Sequence, residues 1–252
     1  MTYSIKGFVE TSFIDWPGRV VSVLFLPSCN LRCPFCHNHG LVLHPETYPD
    51  FPWEAILEGL RKRRGWIDGV CLTGGEPTLH PWLPLLIREL KSDRRLTPNG
   101  EPLAVKLDTN GTRPEVLKEL LTRGLVESVA LDVKAPLDER YRRATGRPDF
   151  DVGAIQRSLR LLGDWGGEYE LRTTVCPAVL SPEDVVELAA EVAGAPRLVL
   201  QQFQPGHCLD PALNDVAPYP EEQLEELAER CRAYVAQTWV RGSEAVPSPP
   251  LP

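Results

Sequence analysis

The sequence predicts an α/β domain on a largely parallel sheet, and three observations support this. Six short runs rich in β-branched and apolar residues alternate with amphipathic runs of helical period, a pattern that implies parallel strands joined by right-handed crossovers. The polar motifs fall just past these runs, at the carboxyl ends of the expected strands, where such sheets carry their chemistry. The length of 252 residues suits one α/β barrel domain. Length and motif order favour an open, partial (β/α)6 TIM-like barrel, while periodicity alone leaves a doubly wound sheet open.

Taken in order, Tyr3 to Ile14 reads as an edge strand and entry loop, and Val20 to Leu26 as the first core strand, closed by Pro27. Residues 53–64 form a helix with Trp53, Ile56, Leu57 and Leu60 on one face. Val70 to Thr73 is the second core strand, followed by a helix from Pro81 to Leu90. Ala104 to Leu107 is the third, and Pro114 opens the helix after it. Ser128 to Leu131, Tyr169 to Val175 and Arg197 to Phe203 complete the six, with helices over 152–162 and, capped by Ser181, over 182–192. A long final helix is expected over 220–238. This makes one domain over 1–240 and a Pro-rich tail over 241–252 expected to be disordered.

Composition narrows the function classes. A net charge of −8 disfavours a partner held by phosphate neutralisation, so no nucleic acid is expected. The start lacks a basic-then-apolar export signal and no apolar run is long enough to cross a bilayer, so no membrane is expected and the cytoplasm is the expected compartment. Seven cysteines, four of them isolated, do not form a disulfide framework and suit a reducing compartment.

The other three cysteines carry the chemistry. Cys29, Cys33 and Cys36 are spaced CxxxCxxC on the loop leaving the first core strand, where three thiolates can turn toward one point. Soft sulfur ligands suit an iron–sulfur cluster or zinc, and three ligands leave one metal position for a small molecule. A zinc site with His37 as fourth ligand is an alternative, although such sites usually bring their ligands in two separated pairs. The match of Cys33 to His37 to haem attachment needs an exported setting and leaves Cys29 without a role. The polar residues and proline between the thiols do not belong in a core.

With these spacings, the chain resembles the radical S-adenosylmethionine superfamily. Asp15-Trp-Pro-Gly18, Cys36-His-Asn38, Leu72-Thr-Gly-Gly-Glu-Pro77, Leu107-Asp-Thr-Asn-Gly111 and Leu131-Asp-Val-Lys-Ala-Pro136 resemble, more narrowly, the activating enzymes of glycyl-radical proteins. The likeness is to the longer type named for anaerobic ribonucleoside-triphosphate reductase. It spans roughly residues 3 to 210, and it decides for the partial barrel over the doubly wound sheet.

The resemblance implies a [4Fe-4S] cluster on Cys29, Cys33 and Cys36, with S-adenosylmethionine on the open iron. It implies a methionine-amino site at Gly74 and Gly75 with Glu76 in a supporting role, and a monovalent cation held against the methionine carboxylate by Asp108, Thr109, Asp132 and the backbone of Ala130; Glu76 and Asn110 are counted with the cofactor-binding residues. In a plainer reading Asp108 caps a turn and Asp132 is solvated. Lys134 is expected as a direct cationic contact and Phe35 as a wall of the nucleoside site, with simple packing equally open for Phe35. Asp15 is a candidate for receiving a partner's loop or an ordinary turn residue, and His207 is a candidate only. The implied partners are a glycyl-radical enzyme, anaerobic ribonucleotide reductase, and a flavodoxin- or ferredoxin-type electron donor. Two other functions compete: a radical enzyme acting on a small molecule, as 7-carboxy-7-deazaguanine synthase does, and a non-catalytic zinc- or cluster-binding interaction protein.

Overall fold

In a computed structural model, which describes residues 3–242, the chain forms one eight-stranded sheet in sequential order. The strands are β1 (Gly7–Ser12), β2 (Val21–Leu26), β3 (Gly69–Gly74), β4 (Ala104–Thr109), β5 (Ser128–Asp132), β6 (Glu168–Val175), β7 (Leu198–Gln202) and β8 (Thr238–Arg241). β1 runs antiparallel to β2 and all later neighbours are parallel. β1 and β8 do not pair, so the sheet is an open partial barrel.

Helices cover the outer face: α1 (His39–Leu43), α2 (Trp53–Lys62), α3 (Leu83–Ser92), α4 (Pro114–Thr122), α5 (Glu139–Thr145), α6 (Val152–Trp165), α7 (Pro182–Glu191) and α8 (Glu221–Cys231). The terminators are local. Pro114 opens α4, Ser181 and Asp184 form a capping box at α7, and Gly166 stops α6 in the left-handed conformation.

Strand periodicity divides the side chains into two sets. Leu24, Leu72, Leu107 and Val129 are aligned in register across β2 to β5, and all four are fully buried in the core beneath the helices. Each such leucine contributes about 1.5–3 kcal/mol of burial. The alternate positions face the barrel interior and are polar toward the centre of the sheet: Lys106 and Asp108 on β4, Asp132 on β5, Glu170 and Arg172 on β6.

The six expected core strands are present as β2 to β7. A seventh parallel strand, β8, was not expected. The final helix ends at Cys231 rather than 238, and Thr238 to Arg241 turn back to pair with β7. α1 and α5 are also additions; they are short and lie in the connections that hold the cysteine loop. The expected tail lies outside the described residues except for Arg241 and Gly242, of which Arg241 belongs to β8.

The amino end of the barrel is closed by the β1–β2 loop. Trp16 is fully buried against Val21, Val23 and Cys71, and its indole N–H donates to Glu168 at the start of β6 (3.4 Å).

Candidate active site

A cavity of about 470 Å³ lies at the carboxyl ends of the parallel strands. Cys29, Cys33 and Cys36 border it, together with Phe35, Gly74, Gly75, Asp108, Asn110, Asp132 and Lys134. Nearly all the residues expected from sequence thus converge; Glu76, Ala130 and His207 are the exceptions.

The cysteine loop is held along its whole length. It begins at Ser28, in the left-handed conformation with φ +64°. Gly75 N–H then donates to Leu26 O (2.8 Å) and Glu76 N–H to Ser28 O (2.7 Å), tying the end of β3 to the loop entry. A Cβ at Gly75 would lie 1.8 Å from Ser28 O, and one at Gly74 2.4 Å from Leu26 O, so both glycines are dictated by this close approach. The Gly74 carbonyl accepts from Asn38 Nδ2 (3.0 Å) and has a second lone pair for a ligand ammonium. Further along, Arg32 N–H donates to Thr145 O (2.8 Å) at the end of α5. The segment after β7 closes over the loop: Leu209 and Asp210 N–H donate to Cys36 O (3.1 Å) and Pro34 O (2.9 Å).

All seven cysteines are free thiols. Burial pushes Cys29 up to about 11, with Glu76 adding to the effect, and Cys33 up to about 12, while Lys134 opposes the rise at Cys33. Burial likewise raises Cys36, again against Lys134. Such thiols keep their protons until a soft metal centre displaces them. Three soft sulfur donors on one loop border the same cavity and leave one metal position without a protein ligand, so the donor set fits a [4Fe-4S] cluster. His37 is also engaged elsewhere, its Nε2 donating to Gln204 O (2.6 Å).

Asn110 stands beside the first thiol. Its Nδ2 donates to Asn30 Oδ1 (3.1 Å) and approaches Cys29 Sγ (3.5 Å), while its Oδ1 accepts from Thr112. Phe35 is buried with Leu31, Cys176, Phe203 and Leu213 in a small apolar cluster beneath the cysteine loop and also borders the cavity, so it packs and lines at once.

Glu76 corrects an expectation. It is fully buried and does not border the cavity. Its Oε1 accepts from Thr109 Oγ1 (2.7 Å), from Thr78 N–H (3.0 Å) and from the Thr78 hydroxyl, and its Oε2 accepts from Asn110 N–H (2.7 Å). Burial raises its pKa against these bonds. Glu76 is a clamp joining the ends of β3 and β4, not a ligand contact.

Asp108 and Asp132 are embedded in an alternating chain of charge. Lys106 Nζ bonds Asp108 Oδ1 (2.6 Å), Arg172 Nη1 bonds Asp108 Oδ2 (2.9 Å), Arg172 Nε bonds Asp132 Oδ1 (2.8 Å), and Lys134 Nζ bonds Asp132 Oδ2 (2.9 Å). Burial opposes charge throughout. It is outweighed at Asp108 by Arg172 and Lys106 and at Asp132 by Arg172 and Lys134, so both carboxyls lie below the usual range. Against burial, Asp132 in turn holds Lys134 above its usual value, keeping it charged.

Sequence reasoning missed Arg172 and Gln201, which also line the cavity, and gave Asn38 no role beyond its place in the Cys36-His-Asn38 motif. Arg172 belongs to no motif; its only signal is the polar alternation Glu168, Glu170, Arg172 along β6, which places charge on the interior face of a parallel strand. Asp15 reaches the cavity from the amino end, where it accepts from the Ser12 hydroxyl. His207 is exposed, lies against His39 with ring centroids 4.6 Å apart and the rings tilted by 45°, and does not border the cavity.

Residues 23–192 match the family model of the radical SAM superfamily. A protein of Methanocaldococcus jannaschii that carries the name of a glycyl-radical enzyme activating enzyme is 31% identical over 239 residues, covering 94% of this chain and 95% of that one. The pyruvate formate-lyase-activating enzyme of Clostridium pasteurianum is 24% identical, covering 88% and 94%. Among solved structures, a radical SAM methyltransferase from Sphaerobacter thermophilus shares the fold, with a TM-score of 0.70 at 15% identity, covering 93% of this chain and 70% of that one. The chain therefore belongs to the radical S-adenosylmethionine superfamily, within its glycyl-radical enzyme activating type, and membership implies a [4Fe-4S] cluster and S-adenosylmethionine as its cofactors.

Proposed function

We propose that this protein generates a glycyl radical on a partner protein, and that the partner is anaerobic ribonucleoside-triphosphate reductase. The observation that carries the activity is the match to a relative named as a glycyl-radical enzyme activating enzyme, 94% of this chain against 95% of the other, together with three free thiols bordering one cavity. The choice of reductase rests on the likeness of the chain, over roughly residues 3 to 210, to the longer activators of that type.

A cluster on Cys29, Cys33 and Cys36 would supply the electron that cleaves S-adenosylmethionine to methionine and a 5′-deoxyadenosyl radical able to take hydrogen from a glycine Cα. The chain's own residues bind and orient. Lys134 and Arg172 present positive charge to the methionine carboxylate, the Gly74 carbonyl accepts from the methionine ammonium, and Phe35 offers an apolar wall to the nucleoside. Trp16 closes the amino end against water, and the unpaired edges β1 and β8 leave a side through which a loop of the partner can enter. A monovalent cation is not part of this reading, because the oxygens of Asp108 and Asp132 are engaged by cationic side chains. The electron donor is of flavodoxin or ferredoxin type, and the compartment is the cytoplasm, in keeping with seven free thiols and with the lack, among the described residues, of a helix long and apolar enough to cross a membrane.

The test is anaerobic incubation of cluster-loaded protein with S-adenosylmethionine, dithionite and the reductase. A glycyl-radical EPR doublet on the reductase is expected. Formation of 5′-deoxyadenosine with no protein radical on the reductase or on other glycyl-radical enzymes, and with hydrogen taken from a small molecule, would remove the activase reading.

A further inference from the structure

The carboxylates that the family likeness assigns to a monovalent cation do not fit one here. All four oxygens of Asp108 and Asp132 accept from a cationic side chain at 2.6 to 2.9 Å. Arg172 is the central member, bridging the two. Register fixes its position: Arg172 is paired directly with Asp132 on the neighbouring strand, and Asp108 lies one strand further on the same face. Its side chain is only 10% exposed, so its charge is not dispersed by solvent. A second cation entering between the carboxylates would meet a guanidinium within bonding distance of both, and like charges repel strongly where water is excluded.

We propose that the Arg172 guanidinium stands permanently where a monovalent cation would otherwise bind, so that S-adenosylmethionine is held with no requirement for potassium or sodium. The inference rests on the cavity being an S-adenosylmethionine site. Nε and Nη1 are engaged by Asp132 and Asp108, while Nη2 has no hydrogen-bond partner among the described residues. Arg172 borders the cavity beside Lys134. Together they offer two fixed positive groups to one carboxylate, and the guanidinium is set in place by its two bonds before the ligand arrives. A bound ion dissociates and makes affinity depend on the salt; a strand-borne guanidinium does not.

The test is calorimetric titration of the anaerobically reconstituted holoprotein with S-adenosylmethionine in potassium, sodium or choline chloride at equal ionic strength. The dissociation constant is expected to agree within about twofold across the three salts, since no site-bound ion takes part. Binding tenfold tighter in potassium or sodium than in choline would overturn the proposal. R172Q is expected to weaken binding in choline by about 10- to 100-fold, the usual effect of losing a charged hydrogen bond, with partial recovery in potassium, and R172K to retain most of the wild-type affinity in choline. R172Q that binds in choline as the wild type does would also overturn it. The wild-type comparison needs no variant and stands if R172Q does not fold. No binding of S-adenosylmethionine in any salt would remove the underlying reading of the site, an outcome distinct from binding that requires potassium.

Discussion

Glu76 and the pair Asp108 and Asp132 lie at the carboxyl ends of neighbouring strands, all acidic and all set back from bulk water, yet they do opposite things. Glu76 accepts only from hydroxyl and amide groups, and burial raises its pKa. Asp108 and Asp132 accept from lysine and arginine, whose charge outweighs burial and lowers theirs. The first arrangement joins two strand ends with neutral donors and leaves the cavity untouched. The second keeps charge at the cavity wall, where an anionic ligand group can use what the carboxylates do not neutralise. Residue type and strand position do not separate clamp from ligand site; the charge of the donors does.

The sharpest break in this division comes from the thiols. Cys33→Ala should leave iron binding depleted and abolish 5′-deoxyadenosine formation, measured by iron analysis and product assay, because a cluster cannot be held by the remaining pair. The melting temperature of the metal-free protein should change little, since the main core excludes the cysteine loop.

Glu76→Ala should be the most costly of the carboxylate changes to the fold. It strands the buried donors of Thr78, Thr109 and Asn110 and should destabilise by about 3 kcal/mol, lowering Tm by about 6–12 °C. Asp132→Asn is its counterpart. The side chain keeps its shape but leaves Arg172 and Lys134 short of a negative partner, so Tm should fall by less than in Glu76→Ala, about 3–6 °C, while binding of S-adenosylmethionine weakens by about tenfold as Lys134 loses its anchor. Equal losses of ligand affinity in the two variants, without a difference in melting, would erase the distinction between clamp and site.

Asn110→Ala lies between these cases. The cluster should still assemble, but activity should fall by about tenfold, with an altered reduction potential, because the amide no longer supports Cys29. His207→Ala should be the mildest, within about twofold of wild type in activity, as expected of an exposed ring outside the cavity.

The framework was legible because β-branched runs ending in glycine or aspartate motifs mark both a strand and its functional end. Val21–Leu26 with its cysteine loop, and Gly69–Gly74 with its glycine pair, illustrate this. β8 was not legible: Thr238 to Arg241 is only four residues long and follows an amphipathic helix whose apolar spacing continues through Val235, so strand and helix tail look alike. Within the site, the thiols stood out because their spacing has few other uses. Arg172 did not, because one arginine in a strand has no motif, and its meaning arises only when register sets it beside Asp132. Glu76 was misplaced for the converse reason, since a motif records that a residue matters and not which neighbours its oxygens meet.

The most direct test of the central claim is S-adenosylmethionine cleavage by anaerobically reconstituted, dithionite-reduced protein, run beside Cys33→Ala. The account predicts a [4Fe-4S] EPR signal that shifts when S-adenosylmethionine is added, and formation of 5′-deoxyadenosine by the wild type alone. A fully loaded cluster that neither shifts nor cleaves the nucleotide, or purified protein holding zinc without iron, would contradict it.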